Sequence, residues 1–404
     1  MSDLRALIGR PHALRMLLTA LVARLPEAMV PLALLLLARH DGGSYATAGA
    51  IAGAFAVGAA VGGPLLGRAI DRAGQPAVLI GAAVTRSVAL AAIVALAPSS
   101  LAAAGVVCVA AGALTPPLEP ALRALWPDLA GDDEHALAAA YELDAGAQEL
   151  IFVVGPLLVA LGVALGTPAL ALDLASAIGL LGTIAFATAR PARTWRAAPH
   201  GDGGPSHWTA AVRAPEVALL LAIGLLAGAT TGVVNVTATA FAEHTLGDRD
   251  LAGWLLAAWA VGALAGGLTA AARRWRTPPE RRLTWLLIGF GIAFVPALLA
   301  RATGTMALAL AISGAFLAPT LAAIFVLTGT RARTGAITET FAWLTSSFLV
   351  GSAAGAALGG TLTGSGSGVQ GFALAGALSL AAAALWSARR VRPTAAAVGK
   401  HPTP

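Results

Sequence analysis

Arg24 and Glu27 are the residues of this chain best placed to do chemistry. They stand three positions apart in an otherwise apolar run, hence on one helix face, and Pro26 and Pro31 interrupt the backbone around them. A carboxylate so placed can carry a proton or meet a cationic solute, with the arginine beside it tuning that charge. An ionisable group at the centre of a membrane span costs about 2.5 to 3.5 kcal/mol on insertion scales, so one that is kept there is a candidate for function. The competing reading is an internal ion pair that neutralises itself and only helps packing. Glu149 is the second candidate, two turns beyond Glu142 on the same face and deeper in its run. Loss of water there disfavours the charged form, which suits a group that must load and unload a proton. Glu142, Asp144 and Glu339 are weaker candidates, because helix amino termini and headgroups near span ends can stabilise them without any chemical role. Glu119 and Asp173 also fall near span ends and read the same way. Asn235 could hydrogen-bond a solute, or equally glue two helices together.

The elements that hold these residues follow from composition. Of 404 residues, 57% are hydrophobic and 11% charged, and apolar runs of about 20 residues, each long enough to cross a hydrocarbon core, recur along the chain. The runs are rich in Ala, Leu and Gly and lack strand-like alternation, so helices must satisfy the backbone in lipid. Twelve spans are expected at 13–38, 45–67, 76–97, 100–122, 137–165, 168–189, 214–241, 250–272, 283–300, 304–328, 335–361 and 367–388. The fold class is an all-α polytopic membrane protein. The first run is too long for a signal peptide and no small-residue cleavage site follows it, so it reads as a retained span.

Charge gives orientation. Of the 26 Lys and Arg residues, 21 fall at the chain ends and in alternate loops on one side, including Arg68, Arg72, Arg123, Arg273 and Arg331. Arg39, Arg249 and Arg301 face the other side, and Arg24 and Arg86 lie inside spans. The positive-inside rule then puts both termini in the cytoplasm of a multi-pass protein of the cell membrane. The same count explains the net charge of +6, and without a basic stripe interleaved with aromatics no nucleic-acid partner is expected. Cys108, the single cysteine, rules out an intramolecular disulfide and reads as a small core residue.

The two halves repeat. Ala48-Gly49 returns as Ala252-Gly253, 204 residues on, and Val57-Gly58-Ala59-Ala60-Val61-Gly62-Gly63 meets Val261-Gly262-Ala263-Leu264-Ala265-Gly266-Gly267 at the same offset. Gly112-Ala113 and Pro117 match Gly314-Ala315 and Pro319, and Val154-Gly155 matches Val350-Gly351. Six spans in each half give both halves the same orientation, related by an axis along the membrane normal, with a cavity between them. The expected units are an amino-terminal six-helix bundle at 1–190, a linker at 191–213, a carboxy-terminal six-helix bundle at 214–390 and a tail at 391–404, linker and tail both cytoplasmic. Gly58 with Gly62, Gly262 with Gly266, and Gly351 with Gly355 and Gly359 are small residues at spacing four that let helices approach closely. The segment Gly366 to Gly371 matches a dinucleotide-binding pattern letter by letter, but without a strand and helix around it the segment reads as an outer turn.

Between spans two and three, Gly67-Arg68-Ala69-Ile70-Asp71-Arg72-Ala73-Gly74 packs three charges and two glycines into what reads as a tight loop. In this position, within a six-plus-six topology, it resembles the signature loop of the major facilitator superfamily, although Gln75-Pro76 stands where the family carries two basic residues. The resemblance implies that family's fold and a conformational gate made by Gly67, Asp71, Arg72 and Gly74. Asp71 would meet a helix amino terminus of the second half near Gly335, or Arg123 at the end of span four. In the second half Trp275 stands at the place of Asp71, so the latch is expected to be asymmetric. Gly155-Pro156 in span five resembles the centre of a pattern typical of proton-driven drug exporters, but Val159-Ala160 replace the paired glycines that should follow. Leu122 to Pro127 and Thr338 to Leu344 resemble actinobacterial facilitators of unassigned substrate.

These readings point to a secondary active transporter that exports a small organic molecule, drug-like or a metabolite, against protons. Proton-coupled uptake is the alternative, and a membrane sensor or intramembrane enzyme a remote one. No phosphate-binding lysine loop, nucleophile motif or metal-binding run is present, so the chain is expected not to be an enzyme, to need no cofactor or metal beyond the proton gradient, and to work as a monomer in the bilayer.

Overall fold

In a computed structural model of the protein, residues 9–198, 214–248, 251–273, 275, 277–363 and 369–388 are described. Among the described residues, twelve helices or helix pairs are long and apolar enough to cross a membrane. In chain order they are α1 (Ala13–His40), α2 (Tyr45–Ala73), α3 (Gln75–Leu96), α4a and α4b (Leu101–Ala113 and Leu118–Ala130), α5 (Glu134–Leu165), α6 (Pro168–Ala187), α7 (Pro215–His244), α8 (Leu251–Ala271), α9a and α9b (Pro279–Ile292 and Val295–Leu299), α10a and α10b (Thr303–Gly314 and Leu317–Arg331), α11 (Ile337–Thr363) and α12 (Gln370–Ala388). Most of the expected linker and the whole of the expected tail lie outside the described residues, as do 366–368 of the dinucleotide-like segment.

Sequence chemistry sets the ends of these helices. Ser44, Ser100 and Thr167 cap α2, α4a and α6 by accepting a backbone N–H with their hydroxyls, and Asp133 caps α5 through the amides of His135 and Ala136 at 3.0 and 3.1 Å. Span four breaks where Pro116 and Pro117 supply no N–H, and the Leu118 N–H donates to Pro116 O at 2.8 Å in a three-residue turn. Span ten breaks one residue past Gly314, the repeat partner of Gly112. By contrast α1 runs unbroken through Pro26 and Pro31, leaving the carbonyl of Glu27 without its usual helical partner.

The repeat reappears as matched contacts. A β-carbon added to Gly58, Gly62 or Gly112 would stand 2.0 to 2.1 Å from the carbonyl oxygens of Val109, Ala113 and Phe55. Their counterparts Gly262, Gly266 and Gly314 stand in the same relation to Ala311, Ala315 and Trp259, at 2.0 to 2.2 Å. These positions need glycine because two backbones touch there, α2 on α4a in the first half and α8 on α10a in the second. Between the halves two seams form, α2 against α11 and α5 against α8. They are related by the same repeat.

The segment read as a loop from Gly67 to Gly74 is helical. α2 continues to Ala73, and Gly74 alone turns the chain, with φ at +86°, before α3 starts at Gln75. The expected end of the span was too early because it stopped at the first charge, whereas Asp71 is buried against the second half.

Candidate functional site

An ionic cluster joins α1, α4b and α5 inside the amino-terminal half. The Arg24 guanidinium, fully buried on α1, donates from Nη1 to Asp144 Oδ1 at 3.2 Å and from Nη2 to Gln148 Oε1 at 2.9 Å, both on α5. It also lies 3.3 Å from Glu119 Oε2 on α4b and 3.7 Å from Glu27 Oε2 on its own helix. Arg123, one turn beyond Glu119, pairs with Glu119 Oε1, donates from Nε to Asp144 Oδ2 at 3.0 Å, and lays its guanidinium 3.4 Å above the Phe325 ring of α10b. The Tyr141 hydroxyl donates to Arg123 O at 3.2 Å, fixing the carbonyl side of the same turn. Buried charges are tolerable only when paired, and here two arginines are shared among three carboxylates.

Glu27 is the loosest member. Its side chain keeps 29% exposure, against 9% for Glu119 and none for Asp144. It opens onto a cavity of about 210 Å³ between the halves, lined on one side by Glu27, Phe55, Phe152 and Gln148 and on the other by Phe325, Thr345 and Phe348. The lining is mostly apolar and aromatic. Thr345 Oγ1 has no hydrogen-bond partner among the described residues, so the second half offers a polar atom of its own.

The structure brings together some of the expected residues and separates others. Arg24, Glu27, Asp144 and Arg123 converge. Glu149 does not line the cavity: Gln148, one residue earlier and about 100° around the helix, takes that face. Asn235 is exposed on α7 and does not line it either. Gly155 lets α5 close on α1, a β-carbon there standing 2.7 Å from Ala28 Cβ, and Pro156 follows it within the same continuous helix. Gln148 was missed by sequence reasoning, and Glu119 was set aside as a span-end residue. Both carried a signal, since Glu119 with Arg123 and Asp144 with Gln148 are spaced i, i+4 and so share a helix face.

Toward the arginine-rich face the halves are sealed at both seams. Asp71 accepts the Thr338 N–H at 3.1 Å with Oδ1 and the Glu339 N–H at 2.8 Å with Oδ2, so its carboxylate caps the amino terminus of α11. Gly67 is needed beside it, because a β-carbon there would sit 3.0 Å from Thr338 O and Ala342 Cβ. Glu339 lies within electrostatic reach of Arg68 and Arg72, and Gly74 packs under Arg196. Arg123 is not the partner of Asp71, being held by Glu119 and Asp144. At the second seam Glu142 of α5 pairs with Arg282 of α9a at 3.3 Å, both buried, and Arg282 stacks 5.3 Å from the Trp275 ring. There Gly146 and Gly267 bring the backbones of α5 and α8 into contact.

Two six-helix halves, sealed on one face and enclosing a central cavity, define a transporter that exposes a site to each side of a membrane in turn. A family model of the Major Facilitator Superfamily matches residues 16–232, more than half of the chain, and the protein belongs to that superfamily. It is therefore a multi-pass membrane protein and a secondary transporter working by alternating access, not an enzyme. Among solved structures it is similar to a bacterial homologue of the iron transporter ferroportin in an outward-facing state, at 14% identity with a TM-score of 0.71, covering 94% of this chain and 99% of that one. It is similar also to the human organic anion transporter MFSD10, at 17% identity with a TM-score of 0.69, covering 92% and 98%. The fucose:proton symporter FucP of E. coli matches at 17% identity with a TM-score of 0.64, covering 93% and 98%. At such identities the likeness is one of fold. No curated protein matches the chain.

Proposed function

We propose that the protein is a proton-coupled exporter of a small, partly apolar organic compound, with Glu27 as the group that exchanges a proton for the substrate. The observation that carries this is the position of Glu27: it is the cavity-facing carboxylate with the most exposure and the longest contact to its arginine, among aromatic side chains. A carboxylate held by Arg24 at 3.7 Å can be neutralised without dismantling the Arg24–Asp144–Arg123 core. The neutral form suits the apolar cavity when it is empty, and the charged form suits a bound cation. The excess of arginine on the sealed face supports reading that face, and both termini with it, as cytoplasmic in a protein of the cell membrane. The proton gradient would be the sole drive, with no cofactor, and a single chain would suffice because the cavity is built between its own halves.

The test uses proteoliposomes with ethidium and rhodamine 6G as probes of the apolar-cation class. An antiporter accumulates dye when the vesicle interior is acidic, because protons leaving drive dye inward. Accumulation only with an acidic exterior would assign uptake in place of export, and accumulation indifferent to the gradient would refute proton coupling.

A further inference from the structure

Arg86 of α3 is a buried guanidinium, 6% exposed, with no ion pair or hydrogen bond on Nε or Nη2 among the described residues. It stacks 5.8 Å from the ring of Phe55, which lines the cavity. Gly179 of α6 leaves room for it beside α1: a β-carbon there would stand 2.9 Å from Pro26 Cγ and 3.7 Å from Arg86 Nη1. Arg86 thus reaches the flank of the helix that carries Glu27, and Glu27 is the carboxylate whose field it feels.

The charges of the region make the same point. Glu27, Glu119 and Asp144 are three carboxylates, while the firmly paired arginines are two, Arg24 and Arg123. Arg86 brings the count into balance. It is the least satisfied cation of the region, as Glu27 is the least satisfied anion. An uncompensated buried charge is strongly destabilising, so leaving Arg86 unpaired in every state would be a standing penalty. Arg24 cannot follow Glu27 if α1 bends at Pro26, which lies between them, because Asp144 and Gln148 tie it to α5.

We infer that Arg86 is the second counter-charge of Glu27, a positioning residue that takes the carboxylate over from Arg24 when the cavity changes face. The inference rests on the reading of Glu27 as the proton-exchanging group. The groups that face Glu27 are then Arg24 on its own helix, Arg86 from α3, Glu119 and Arg123 from α4b, and Asp144 with Gln148 from α5. Phe55 on α2 and Gly179 on α6 contribute no charge.

The test is a pH titration of carboxyl bands by infrared difference spectroscopy on the full chain in lipid vesicles, with protons as the sole probe. The band that Glu27→Gln removes belongs to Glu27. In Arg86→Gln its midpoint should move about one pH unit to the alkaline side, the size expected of one lost charge several ångströms away at an effective dielectric near 20. Arg86→Lys keeps the charge and should leave the midpoint in place. A band that stays put in Arg86→Gln, while only thermal stability falls, overturns the inference and makes Arg86 a packing residue. If Glu27→Gln removes no band, the proton-exchange reading fails, and this inference with it, an outcome distinct from an immobile band.

Discussion

Replacing Asp71 by Asn should release the seal on the arginine-rich face. Both oxygens of Asp71 accept amide protons from the first turn of α11, at 3.1 and 2.8 Å, and the group is 8% exposed. Asn keeps one acceptor oxygen and turns an NH₂ group toward the other N–H. One hydrogen bond to a charged acceptor is lost, about 1.5 to 3 kcal/mol, together with part of a helix-terminus interaction of up to about 2 kcal/mol. Some of this is recovered by water once the seam opens, so a net bias of about 2 kcal/mol is expected, roughly thirtyfold in the population of the open seam. Thr338→Cys gives a near-isosteric reporter at a fully buried seam position, and the native Cys108 is itself buried and contributes little background. The assay is the rate at which a membrane-impermeant maleimide labels the introduced thiol from the arginine-rich side. Asp71→Asn should raise that rate at least tenfold. A rate within twofold of the parent would show that the Asp71 contact does not hold the seam.

Other outcomes follow from the same geometry. Glu142→Arg should be inactive in gradient-driven dye transport and should regain activity when combined with Arg282→Glu, since the pair crosses the second seam at 3.3 Å; failure of the double variant to exceed the single one would remove the pair from the seal. Gly62→Ala puts a methyl group where a β-carbon would meet Ala113 O at 2.0 Å, so α2 and α4a must separate, and a loss of about 1 to 3 kcal/mol should show as a lower unfolding midpoint in detergent. Glu149→Gln should leave gradient-driven transport unchanged, because Glu149 does not line the cavity; a collapse comparable to that of Glu27→Gln would restore it as a coupling group.

Much of the architecture was legible because lipid imposes a coarse rule, an apolar run of fixed length, and the twelve spans follow it closely. The repeat was legible for a related reason: Gly58, Gly62 and Gly112 and their partners are fixed by backbone contact and tolerate no substitute. What was lost lay where helices are surrounded by protein and not by lipid. Span four was expected to end near residue 122, which put Glu119 at a headgroup, yet α4b continues to Ala130 because Glu119 and Arg123 find partners inside the bundle. Asp144 was placed near a span end for the same reason, although α5 starts at Glu134 and carries it about 15 Å into the bundle. That Gln148 and not Glu149 lines the cavity is a matter of helix phase, which composition does not fix. Asp71 was legible as a helix-terminus ligand only through the resemblance of its segment to the superfamily's signature, with Arg123 as the alternative partner, and Trp275 alone did not disclose that Glu142 and Arg282 close the opposite seam.

The central claim is that protons drive this transporter through Glu27, and Glu27→Gln in proteoliposomes tests it most directly. With an acidic interior the variant should no longer accumulate ethidium uphill, while exchange of dye down its own gradient continues, because the cavity and its aromatic walls are intact. Uphill accumulation that persists in Glu27→Gln would contradict the account.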